Sequence, residues 1–152
     1  MSLSLAGAQE LIAASATFQS WTGSANAEEA KTRVYLPGVP TDEATRPFAC
    51  LLGAEWKATR EAITTFCHSA GIGVLVEADV AAEHKDSFSD AYLAFVNKLG
   101  QVRDDMLEKA ATFAALRVGD IEVSQDSIKR SIWEEDAGDG DYFNGVMVIR
   151  VE

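Results

Sequence analysis

Glu134, Glu135, Asp136, Asp139 and Asp141 crowd into eight residues around Gly138 and Gly140, and carboxylates this dense could offer oxygen ligands to a hard cation such as calcium. The spacing opposes that chemistry. A helix-loop-helix calcium loop places its acids at alternate positions and closes on a glutamate at about the twelfth, and this stretch does neither. It reads as a hydrated, self-repelling hairpin turn that shows its carboxylates to whatever passes.

Cys67 stands beside His68, the residue types of a nucleophile and its base, but neighbours on an extended chain point to opposite faces and cannot share a proton. Cys67 therefore reads as core and His68 as surface. Glu77 and Asp79 fall on one face of a strand about 7 Å apart, a separation compatible with acid-base or metal chemistry, yet no third ligand accompanies them. His84 lies among Glu83, Lys85 and Asp86 with no other histidine to complete a metal pair or a triad. Gly71-Ile72-Gly73 lacks the third glycine and the following helix of a phosphate-binding turn, and no G-x-S-x-G elbow occurs. The expectation is a protein without catalytic, cofactor-binding or metal-ligating residues. Attention then passes to the large aromatics. Phe18, Trp21, Trp56 and Trp133 sit near segment ends or in loops, where such rings either anchor an interface or plug the ends of a core. Trp21, Trp56 and Trp133, together with the acidic cluster, are the candidate interface residues.

Composition narrows the classes further. With 152 residues, 47% of them hydrophobic, the chain suits one domain spanning 1–152. Thirteen Lys and Arg against 24 Asp and Glu give a formal charge of -11, which opposes wrapping nucleic acid or lying on an anionic membrane. It does not oppose lining a passage for DNA, where adhesion would be a fault. No apolar run approaches the roughly 18 residues of a membrane helix. Met1 to Ala8 lacks the basic residues that open a secretory signal, so a cytosolic product is expected. Cys50 and Cys67, with no C-x-x-C spacing, are expected to be reduced.

The elements that must position these residues centre on Ser87 to Phe113. Phe88, Tyr92, Phe95, Val96, Leu99, Val102, Met106, Leu107, Ala110 and Phe113 recur at steps of three and four, an apolar stripe along one helix. Ser87 with Asp90 fits a capping box, and Gly100 is either tolerated within the helix or divides it. A shorter Ala-rich helix is expected over Leu5 to Phe18, capped by Ser4, followed by an exposed connector from Trp21 to Lys31. Short strands are expected at Thr32 to Leu36 and, after Pro47, at Phe48 to Leu52. Residues Ala54 to Ala62 mix helix and strand formers and read as a loop running into an extended arm near Ile63. Ile72 to Val80 alternates cleanly and is the clearest strand. Leu116 to Val123, Ser127 to Trp133 and Tyr142 to Val151 complete a meander, with a bulge at Gly119 and Asp120 where the alternation flips. Val146 to Ile149 is apolar on both sides and belongs mid-sheet. The fold class is α+β: a mainly antiparallel twisted sheet packed by one long helix at about 87–113 and a shorter one at about 5–18.

This layout resembles the tail-terminator (tail-completion) and neck proteins of long-tailed bacteriophages, similar in fold to the terminator of lambda-like tails. The resemblance rests on the leading helix with Leu11 and Ile12, the R-P-F-A segment Arg46 to Ala49, and S-A-G-I-G-V-L-V-E from Ser69 to Glu77. The long helix and the closing W-E-E-D and D-Y-F-N-G-V-M-V-I-R-V-E segments complete it. It implies a structural virion protein, not an enzyme, that needs no cofactor and forms a ring homo-oligomer, usually a hexamer, at the head-proximal end of the tail tube. Its implied partners are further copies of itself, the tail tube protein, the head-connector or stopper protein, and DNA passing through the lumen without sequence-specific binding. Assembly in the host cytoplasm and residence in the tail or neck of the virion would follow. A head-to-tail connector or stopper is the nearest other role. From a different class come a metal- or ligand-binding module or enzyme using the acidic residues, and an acidic mimic of DNA, which should spread its carboxylates more evenly.

Overall fold

A computed structural model of the chain describes residues 5–60, 66–113, 116–132 and 141–151. Helices α1 (Leu5–Ala13), α2 (Ala16–Thr22) and α3 (Ala27–Lys31) lead into strands β1 (Val34–Tyr35), β2 (Phe48–Arg60) and β3 (Phe66–Asp79). A 3-10 turn (Ala82–His84), helix α4 (Phe88–Ala110) and strands β4 (Val118–Ile132) and β5 (Asp141–Val151) follow. The five strands form one sheet in the order β1-β2-β3-β5-β4. Only β1 runs parallel to its neighbour, and every other pairing is antiparallel. The fold is α+β, with the long helix packed on the sheet. Among the described residues no helix is long and apolar enough to cross a membrane.

Helix α4 begins where the sequence places it, since the Ser87 hydroxyl accepts from the Asp90 N–H at 3.3 Å. It runs through Gly100 without a break. Ala91, Phe95, Leu99, Val102 and Met106 face inward and share one core with Ile72, Val74, Val76, Met147 and Ile149 of the sheet. Steps of three and four on the helix thus meet steps of two on the strands. Phe95 stacks on Phe143 at 5.3 Å, and side chains of α4 pack closely over Gly145 of β5. A Cβ there would stand 3.1 Å from Ile128 and Leu99 and 3.2 Å from Phe95, so hydrogen at that position lets the layers close.

The N-terminal helix expected over Leu5 to Phe18 is two helices. The break falls at Ala14 and Ser15, because Ser15 leaves the helical region (φ -67°, ψ 121°) and turns its hydroxyl to cap α2 through the Phe18 N–H. Trp21 to Lys31 is likewise not a connector. Its first two residues end α2, where Gly23 takes φ 68° and bonds from Gly23 N to Ser20 O and Ser24 N to Gln19 O close a Schellman cap. Asn26 then starts α3 by accepting from the Glu29 N–H, while the Glu29 carboxylate accepts from the Ala25 N–H. The signal for this helix, Asn three residues before Glu, lay in the sequence.

The loop expected from Ala54 is strand. β2 continues to Arg60 because β3 offers it a partner throughout, from Phe48 opposite Glu77 to Arg60 opposite Phe66. The expected bulge at Gly119 is present, since pairing jumps between Val118 and Asp120. The two strands expected on either side of residues 124–126 are one strand: β4 keeps its partner β5 across an irregularity in which residues 125–128 stand against Gly145 alone. Ser127 holds that irregularity, donating to Ser124 O at 2.6 Å and accepting from Val146 N at 2.8 Å. The closing three-strand meander is therefore a pair, β4 with β5. Ser4, Ile63 and Trp133 lie outside the described residues.

Candidate assembly interface

The alternation of β3 and β5 divides the sheet into two unlike faces. Ile72, Val74, Val76, Met147 and Ile149 lie under the helices, whereas Leu75, Glu77, Val146 and Val148 point the other way, where no helix among the described residues covers them. Register aligns Leu75 with both Cys50 and Val146, and Gly73 with Val148. Leu52 joins this group through a bulge. Gly53 adopts φ 128°, open to glycine and hardly to other residues, and pairing jumps from Leu51 to Gly53 so that Leu52 lies over Gly73. Leu52 is 54% exposed, while Leu75, Val146 and Val148 are half-buried. The result is an apolar band on a face open to water. The mid-sheet place expected for Val146 to Ile149 holds, but the outer face is uncovered where the sequence suggested cover on both.

Charged groups close both ends of the band. At one end Arg150 pairs with Glu122 at 2.9 Å. At the other, Arg46 pairs with Asp79 at 2.8 Å and lies 4.1 Å over the Tyr142 ring. Glu77 does share a face with Asp79, as the alternation requires. Half-buried opposite Phe48 and Asn144, it has its carboxyl pushed above the usual range by burial, against the opposing pull of Arg46. Cys50 is a half-buried free thiol, pushed up first by burial and then by the Glu77 charge. A raised thiol is a poor nucleophile at neutral pH. No group of three or more His, Cys, Asp or Glu among the described residues could hold a metal ion.

The candidate interface residues fare differently. Trp21 is half-buried rather than exposed, meeting Phe95 edge-on at 5.9 Å and lining, with Val80 and Lys98, a cavity of about 90 Å³. It plugs the core. Asp141 opens β5 and receives Arg130 through two bonds, Nε to Oδ1 at 2.8 Å and Nη2 to Oδ2 at 2.6 Å. Those bonds hold its carboxyl below the usual range despite some burial. Asp141 thus ties the start of β5 to Arg130 of β4. Trp133, Glu134, Glu135, Asp136 and Asp139 lie outside the described residues, as do the side chains of Trp56, Cys67 and His68. Comparison with protein-family models and with curated proteins finds no match to this chain.

Two further surfaces go beyond the sequence reading, which expected only an extended arm near Ile63. One is a two-stranded arm: β3 pairs with β5 only from Ala70 onward, opposite Val151, whereas β2 and β3 stay paired out to Arg60 and Phe66. Past the end of β5, Lys57 to Arg60 and Phe66 to Ser69 have no further strand partner among the described residues. The other is an open cleft of about 400 Å³ between α4 and β4, lined by Val96, Asn97, Gly100, Gln101, Val123 and Gln125 among others. Strand register and the irregularity at 125–128 create these features, and neither follows from residue periodicity alone.

Proposed function

We propose that this chain is a structural subunit that assembles into a ring, the tail terminator of a long-tailed phage, capping the tail tube and joining it to the head connector. The observation that carries the reading is the uncovered apolar band of Leu52, Leu75, Val146 and Val148. Burying such a band against another protein removes it from water at about 25 cal/mol per Å², and a band framed by ion pairs gives the contact a defined register. The arm, projecting past the sheet, gives each copy a second element with which to reach a neighbour. The formal charge of -11 suits a lumen through which DNA slides, because phosphate finds few cations to hold it.

Light scattering on the purified protein tests the reading. The expected mass is about six times the 16.4 kDa of one chain, with annular particles in negative stain. A species that stays monomeric at high micromolar concentration sinks the proposal. Labelled protein found at the head-proximal end of isolated tails fits a terminator, whereas labelling of the portal side of the neck fits a connector or stopper.

A further inference from the structure

We propose that the apolar band is covered, in the purified protein, by the same band of a second copy, the two sheets packing face to face about a two-fold axis. This pairing rests on the reading of the band as an assembly surface and goes beyond it by naming what lies over the band. A two-fold contact must be self-complementary, each residue meeting its counterpart in reverse order. The register of β3, β4 and β5 supplies that order. Val74 pairs with Met147 at the middle of the band, between the Gly73–Val148 and Leu75–Val146 pairs. An axis across the strands at that level reverses strand positions about it. Val146 of one copy then meets Val148 of the other, and Leu75 comes down over Gly73, beside Leu52. Side chains of two packed sheets interdigitate in this way.

The charges follow the same reversal. Arg150 and Asn144 stand three positions either side of Met147 on β5, and Asn144 pairs with Glu77. The axis therefore carries Arg150 of one copy onto Asn144 and beside Glu77 of the other. Glu77 is half-buried and takes no hydrogen bond among the described residues, while Arg46, whose charge acts on it, is bonded to Asp79 at 2.8 Å. Arg150 gives one bond to Glu122 at 2.9 Å, in a pair more than half exposed. Water screens such a pair, and a guanidinium has further donors to give. β4 repeats the match. Asp120 pairs with Arg150 and Lys129 with Asn144, so the reversal sets Lys129 of one copy against Asp120 of the other. Lys129 is exposed and makes no ion pair among the described residues.

Two measurements test the pairing. Zero-length carbodiimide coupling of the wild-type protein, read by mass spectrometry of its peptides, is expected to join Lys129 to Asp120. Within one copy the two lie opposite Asn144 and Arg150, about 20 Å apart along β5, so that amide forms only between copies. Arg150→Glu and Glu77→Arg should each weaken self-association in sedimentation equilibrium by roughly ten-fold. The double variant should recover it, with all three folded by circular dichroism. Recovery reports the contact between copies, because an arginine at position 77 stands two strands from Glu122 in its own copy and cannot replace the lost ion pair. Absence of the Lys129–Asp120 link, or a double variant that associates no more tightly than the single ones, overturns the two-fold contact and leaves the ring reading standing. A wild type that stays monomeric sinks both.

Discussion

Ser15 and Asp105, 90 positions apart, meet through a hydrogen bond of 2.8 Å from the Ser15 hydroxyl to the Asp105 carboxylate. The same carboxylate oxygen accepts from the Thr17 N–H at 2.9 Å, so a side chain of α4 sits at the N-terminus of α2 and satisfies a backbone donor that the helix cannot. Ser15 is wholly buried, and its oxygen also accepts from the Phe18 N–H at 3.1 Å. The break between α1 and α2 and the position of α4 thus fix one another.

Asp105→Ala should therefore destabilise the fold by about 1–2 kcal/mol, the range for losing a helix cap. Urea denaturation of the variant checks this. A midpoint unchanged from wild type would show the contact to be incidental.

The same contact predicts a loss of stability in acid. Burial pushes the Asp105 carboxyl up, but bonds from Thr17 and Ser15 and the Lys109 charge outweigh it and leave the group below its ordinary value. Asp141 is lowered as well, chiefly by Arg130. A carboxylate depressed in the folded state contributes fully above its unfolded value near 3.8 and loses that contribution as pH falls through its folded value. Thermal melts from pH 6 to pH 2 should show Tm falling below about pH 4, and falling less steeply in Asp105→Asn and Asp141→Asn than in wild type. Equal slopes in all three proteins would contradict it.

Gly145 and Gly100 should respond to alanine with opposite signs. At Gly145 a methyl meets three side chains at 3.1 to 3.2 Å, and overpacking of this kind costs about 1–3 kcal/mol. At Gly100 it meets nothing, and removing backbone freedom from the unfolded chain should stabilise the monomer by about 0.4–1 kcal/mol. Differential scanning calorimetry of the two variants gives the comparison directly.

Leu99 is fully buried at the centre of the α4 stripe, so Leu99→Ala should cost about 2–5 kcal/mol, the transfer term plus the cavity left behind. A loss below 1 kcal/mol would mean the stripe does not carry the core.

The sequence by itself determined the elements whose signals are local. The spacing of three and four from Phe88 to Phe113, the Ser87 cap and the alternation of Ile72 to Val80 each need only near neighbours to be read, and α4, β3 and the α+β class follow from them. What it could not supply was the partner of each strand and the fate of each polar group. Residues 54–60 mix helix and strand formers, and only pairing with β3 makes them strand. Val146 and Val148 suggest cover on both sides, but whether a helix lies over them depends on where α1 to α4 dock. Asp105 reads as a solvent-facing acid on the polar side of its helix until Ser15 arrives from 90 residues away. Local spacing settles what each segment can be. Long-range packing settles which face is left open, and the proposed function depends on that open face.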